Sequence, residues 1–100
     1  MESILSIELL QRAAEILKAI AHPIRLQIIQ ALEGGEKCVS ELQTILSQPQ
    51  AVTSQHLNVL RLRGLLKSRR DGTLVYYSIS EPFVLRILNC MRECIISKNN

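Results

Sequence analysis

Gln50-Ala51-Val52-Thr53-Ser54-Gln55-His56-Leu57-Asn58-Val59-Leu60-Arg61-Leu62-Arg63-Gly64-Leu65-Leu66-Lys67-Ser68-Arg69-Arg70-Asp71-Gly72-Thr73 changes its period halfway along. Up to Leu62 the apolar residues Val52, Leu57, Leu60 and Leu62 follow helical spacing, and Thr53, Ser54, Gln55, His56, Asn58 and Arg61 give the helix a polar face. Past Gly64 the period becomes alternating, with Leu66, Ser68 and Arg70 interleaved by Lys67 and Arg69. Asp71-Gly72 then reads as a tight turn before Thr73–Ile79, which is rich in β-branched and aromatic residues; Asp-Gly between two such runs is a strong hairpin signal. A polar-faced helix therefore leads directly into a basic hairpin.

Upstream, Leu9, Leu10, Ala13, Ala14, Ile16, Leu17 and Ile20 predict a first helix over residues 7–21 with a broad apolar face. His22-Pro23 interrupts it and starts a second, because proline disfavours helical geometry in the residue before it and fits a first helical turn. Its stripe Ile24, Ile28, Ile29, Leu32 stops at Glu33-Gly34-Gly35, and Lys37–Leu46 predicts a short third helix. Ser47-Gln48-Pro49-Gln50 is the turn into the polar-faced helix. Downstream, Ser80 is expected to cap a last helix with Pro82 in its first turn, running over about 82–96; Met1–Ser3 and Ser97–Asn100 read as frayed ends.

One hundred residues make one domain, 1–100, with no room for a catalytic second one. With only three aromatic residues, the interior must come from Leu, Ile, Val and Ala, which favours packed helices. Charge interrupts every apolar run well short of the roughly 20 residues a membrane span needs, and the N-terminus lacks a basic, cleavable leader, so the expectation is a cytoplasmic protein with no membrane partner. Three thiols in that compartment do not make a disulfide framework. The net charge of +3 is concentrated in the middle, where Arg61, Arg63, Lys67, Arg69 and Arg70 face one acid, Asp71. Such a cluster suits phosphate contacts.

The order of elements gives the fold class: mostly α with a small β-hairpin, a winged helix-turn-helix of five helices and a two-stranded wing. Two helices joined by a short turn place the second in the major groove of double-stranded DNA. Gln50, Thr53, Ser54, Gln55 and His56 carry short or amide side chains able to reach base edges, and Asn58 and Arg61 stand further along for phosphate. Lys67, Arg69, Arg70 and Thr73 of the wing are expected beside them on backbone or minor groove. A winged-helix module that contacts only proteins is the alternative, opposed by the basic wing. An enzyme with a cysteine nucleophile has no recognisable base or orienting group.

The chain resembles the ArsR/SmtB repressors from about Leu10 to Ile96. The resemblance is carried by Leu17-Lys18-Ala19-Ile20-Ala21-His22-Pro23-Ile24-Arg25-Leu26, Cys38-Val39-Ser40-Glu41-Leu42, Ser54-Gln55-His56-Leu57-Asn58-Val59-Leu60, Arg63-Gly64-Leu65-Leu66 and Arg70-Asp71-Gly72-Thr73-Leu74-Val75-Tyr76-Tyr77. It implies a homodimer with the first and last helices at the interface, Val84, Leu88, Met91 and Ile95 being the candidate stripe, and repression of an operator relieved by an inducer. The family's third-helix thiolate pair is half present, as Cys38-Val39-Ser40. Its last-helix zinc set is not kept: Glu81 and Cys94 match in part, while Phe83 and Ser97 take two ligand positions, and His22 and His56 belong to other motifs.

What is left for sensing is Cys90 and Cys94, four apart on one helix face, with Cys38 as a possible third thiol. Three readings stand: small buried hydrophobes, thiolate ligands for arsenite or a soft metal ion, and reactive thiols answering oxidants or persulfide.

Overall fold

The computed structural model describes residues 4–99, with side chains through residue 96. Five helices carry a three-stranded antiparallel sheet: α1 (Ile7–Ile20), α2 (Pro23–Ala31), β1 (Lys37–Cys38), α3 (Val39–Leu46), α4 (Gln50–Leu62), β2 (Leu66–Asp71), β3 (Leu74–Ile79) and α5 (Phe83–Asn99). The strand order is β1-β3-β2, so the wing has three strands and not two. The added strand is the first two residues of the expected third helix: Lys37 pairs with Tyr77 and Cys38 with Tyr76 before the chain turns into α3.

Local chemistry sets most boundaries. Ser6 caps α1 by accepting from the Leu9 amide at 3.2 Å, and the His22 ring does the same for α2 through Nδ1 and the Ile24 amide at 3.1 Å. The Glu41 carboxylate reaches back to the Cys38 amide at 2.9 Å, and this bond holds the Glu41 carboxyl below the usual carboxylate range. Ser47 takes φ 54° to end α3, and Gly64 at φ 80° ends α4 without a side-chain penalty. In the hairpin Asp71 pairs with Leu74, so the connecting residues are Gly72 and Thr73, one step beyond the expected pair; Gly72 supplies the positive φ that a two-residue connection needs.

Ser80 does not cap the last helix. Its hydroxyl donates to the Gly64 carbonyl at 2.9 Å, closing the base of the wing, and the Glu81 carboxylate accepts from the Phe83 amide at 3.1 Å instead. Helix α5 begins one residue later than expected and continues to Asn99, three residues past the expected end; residues 1–3 and 100 lie outside the described residues.

One core joins the five helices to the wing. Ile16, Ala19 and Ile20 of α1 meet Ile28, Ile29 and Leu32, Leu42 and Leu46, Leu57 and Leu60, Leu65 and Leu66, and then Val84 and Leu88 of α5. Burying each of these aliphatic side chains contributes about 1.5–3 kcal/mol. Val84 and Leu88, expected to face a second copy, are thus inside the protomer, because α2 needs α5 to cover its apolar side. Further along the same stripe Met91 is half-buried and Ile95 is 60% exposed.

Candidate nucleic-acid interface

Helix α4 divides cleanly by side. Thr53, Leu57 and Leu60 are buried, and on the opposite side Ala51, Gln55, Asn58 and Leu62 are exposed, with Gln50 and Arg61 exposed and Ser54 half-buried at the flank. Helix α3 and the Ser47–Pro49 turn brace α4 from behind, leaving the Gln55–Asn58 face open. Arg61 donates to the Asn58 side chain at 2.7 Å, which orients a guanidinium next to an amide on the open side.

Two residues expected to read DNA point elsewhere. Thr53 is fully buried, and its hydroxyl finds no hydrogen-bond partner among the described residues; its place on the Leu57–Leu60 side keeps it from any ligand. His56 is half-buried against α2: Arg25 Nε donates to its Nδ1 at 3.1 Å, and its ring lies 4.5 Å from that of His22. Burial, then the neighbouring His22 and Arg25, hold His56 below the usual imidazole range.

The wing separates its bases by strand alternation. Arg70 pairs with Val75 on one face, and Arg69 pairs with Tyr76 on the other, together with Lys67. Arg69 is already engaged: its Nε donates to Glu36 at 2.9 Å, and its guanidinium sits 4.5 Å over the Tyr76 ring. These hydrogen bonds hold the Glu36 carboxyl below its usual range, with the charges of Arg69 and Lys67 adding to the effect. Arg70, Lys67 and Thr73 are exposed with no such partner among the described residues. Sequence reasoning missed Glu36 because its partner is 33 residues away in the chain. We therefore expect Arg70→Ala to make the negative slope of log affinity against log salt shallower by about 0.9, one phosphate contact, and Arg69→Ala to do so by clearly less. Titrations of one duplex over a salt series measure both; equal changes would return Arg69 to the phosphate contacts.

A cavity of about 290 Å³ at the N-terminus of α3 brings Gln50 and Thr73 together around Cys38 and Ser40. Cys38 is buried, with its Sγ 3.2 Å from the Ser40 hydroxyl, whereas Cys90 and Cys94 are exposed on α5. Among the described residues no three His, Cys, Asp or Glu side chains are grouped to hold a metal ion, and no helix is long and apolar enough to cross a membrane.

Comparison with known proteins agrees with this geometry. Residues 22–68, from the cap of α2 into β2, match the family described as bacterial regulatory protein, arsR family. An uncharacterised HTH-type transcriptional regulator of Methanocaldococcus jannaschii is 39% identical over 84 residues, 83% of this chain and 94% of the relative. The HTH-type transcriptional repressor SmtB of Mycobacterium tuberculosis is 36% identical over 81 residues; the match takes in 81% of this chain but only 60% of that longer relative. Among solved structures, the transcriptional repressor BigR of Xylella fastidiosa superposes with a TM-score of 0.81 at 30% identity, over 91% of this chain and 96% of that one. A homodimeric winged helix-turn-helix DNA-binding domain of Mycobacterium bovis gives 0.80 at 30% identity, over 98% and 93%. On the family match, the identity to these relatives and the shared fold, the chain belongs to the arsR family and is a DNA-binding transcription regulator, not an enzyme.

Proposed function

We propose that two copies of the chain pair through α1 and α5 and repress transcription by occupying a two-half-site operator duplex in the cytoplasm. Gln50, Ser54, Gln55, Asn58 and Arg61 of α4 address the major groove, while Lys67, Arg70 and Thr73 of the wing address the flanking backbone. The observation that carries this reading is the open side of α4, where Gln55 and Asn58 stand exposed opposite the buried Leu57 and Leu60. A glutamine in the major groove can pair bidentately with adenine, a contact worth about 1–3 kcal/mol of discrimination. Gln55→Ala is therefore expected to weaken binding about 5- to 150-fold on the preferred duplex and only slightly on a scrambled one. Equal losses on both duplexes would make Gln55 a backbone contact.

Pairing is supported by α1, which is apolar on two sides. Ile16, Ala19 and Ile20 cover the protomer core, whereas Ile7, Leu10, Ala14 and Leu17 form a second stripe at spacings of three and four that stays exposed. A helix that is apolar on two sides is stable in water only when both are covered. Beside it Leu5, Leu9 and Phe83 line an open groove of about 260 Å³ between the starts of α1 and α5, and Ile95 and Ile96 leave the far end of α5 apolar. The Mycobacterium bovis relative of the same fold is homodimeric.

For the inducer, the exposed Cys90 and Cys94 one turn apart on α5 support a thiol-directed agent, arsenite or a soft metal ion, with reversible thiol oxidation as the second reading. Cys38, buried beside Ser40 at the start of α3, stands apart from that pair on a different element. A hundredfold release of DNA needs the inducer to prefer the DNA-incompetent form by about 2.7 kcal/mol, an ordinary coupling energy. The double variant Cys90→Ser/Cys94→Ser should bind operator as before and no longer release it with arsenite, cadmium or peroxide; a normal response in operator titrations would reduce the pair to surface thiols.

A further inference from the structure

His56 departs from its neighbours on α4. Gln55 and Asn58 are exposed on the open side, but His56 is turned to α2, where Arg25 makes two bonds at once: Nε to His56 Nδ1 at 3.1 Å and Nη1 to the Ala19 carbonyl at 3.0 Å. Ala19 lies in the last turn of α1, where backbone carbonyls have no partner within the helix and the negative end of the dipole favours a cation. One guanidinium thus satisfies the end of α1 and anchors the side of α4, with its planar fork fixing both directions. The neighbouring ring, His22, uses its own Nδ1 to cap α2.

Resting on the assignment of α4 as the DNA-reading helix, we infer that Arg25 is a positioning residue for that helix: by holding His56 as the neutral ring with its proton on Nε2, it locks α4 to α1 and α2 in the DNA-competent pose. An Nδ1 that accepts from an arginine carries no proton, so the neutral ring bears its one N–H at Nε2. Protonation removes the acceptor and sets a cation against Arg25 and His22. These are the charged or titratable groups that α2 turns toward the ring; α1 offers the neutral Ala19 carbonyl at this junction, and Arg12 of α1 is committed farther along to the Arg63 carbonyl, Glu15 and Glu81. From α3, Glu41 is bound to the Cys38 amide, and among the described residues no carboxylate pairs with His56 to offset the charge. Because burial and these neighbours lower its proton affinity in the folded chain, the link is complete in the ordinary imidazole range and above, and is lost as the pH falls through the lowered point at which the folded ring protonates. The sign is distinctive, since acid makes any protein more cationic and strengthens simple phosphate binding.

The test uses a duplex that the protein itself selects from a random-sequence library, a scrambled duplex, and nitrogen-detected histidine spectra of the free protein. The spectra should show His56 near neutral pH as the Nε2–H tautomer alone, and R25M should let the minor Nδ1–H form of a free imidazole appear beside it. As the pH is lowered from about 7.5 through the point at which the same spectra show the His56 ring protonating, affinity for the selected duplex should fall while that for the scrambled duplex holds or rises. His56→Leu should weaken selected-duplex binding about 10- to 100-fold near neutral pH, the scale of one lost hydrogen bond to a charged donor. His56→Asn, whose Oδ1 stands where Nδ1 does and does not titrate, should recover most of that loss and flatten the pH profile. R25K, which keeps the charge without the fork, should bind weakly like R25M. An Nδ1–H tautomer, or matching pH profiles for wild type and His56→Asn, overturns the Arg25 link; failure to prefer any duplex at any pH overturns the DNA-reading assignment beneath it.

Discussion

Leu88→Glu is expected to unfold the protomer rather than to separate two copies. Leu88 is 8% exposed and Val84 beside it 1% exposed, both within the cluster that includes Ile28 and Ile29. A carboxylate there has no partner, and burying it costs several kcal/mol out of a total stability of about 5–15 kcal/mol for a domain. At roughly 4–8 °C per kcal/mol for a chain of this size, the melting midpoint should fall by more than about 12 °C, or the cooperative transition should vanish. Circular dichroism on heating measures this. A variant that melts like the parent but sediments as a monomer would put Leu88 at the contact between copies after all.

Leu10→Glu should do the reverse. Leu10 is 48% exposed in the protomer, in the middle of the second α1 stripe, so the fold itself loses little when it becomes charged. In a paired α1 the charge would be buried, and the variant should sediment as a folded monomer that melts cooperatively. Two half-sites lie about 34–36 Å apart, one turn of DNA, and are then read separately. Linked binding exceeds single-site binding by about 10²–10⁴, so affinity for a duplex with both half-sites should fall at least about a hundredfold. An intact dimer with unchanged affinity would move the pairing face away from α1.

Most of this architecture was legible in the sequence, since it rests on period and punctuation. The switch from helical to alternating spacing at Gly64 marks the end of α4 and the start of β2, and Pro23 marks the start of α2. What escaped depends on residues far apart in the chain. A two-residue strand has no period, so β1 is visible only through its pairing with Tyr76 and Tyr77. Periodicity shows that Val84, Leu88, Met91 and Ile95 share a face without showing that α2 covers its first half. The polar positions of α4 were found as a set, but their division needed the tertiary partners: His56 is drawn inward by Arg25, 31 residues away, and Arg69 is tied down by Glu36. Thr53 has the residue type of a DNA contact at a helical position that faces the core.

On the proposed reading, the open side of α4 reads sequence while the wing grips backbone. That reading is tested most directly by the affinity of the reduced protein for its selected two-half-site duplex against a scrambled duplex of the same length, in the same salt series. A preference of about 10³ or more at physiological salt is expected, with both affinities falling as salt rises. Equal affinity for the two duplexes at every salt concentration would contradict it.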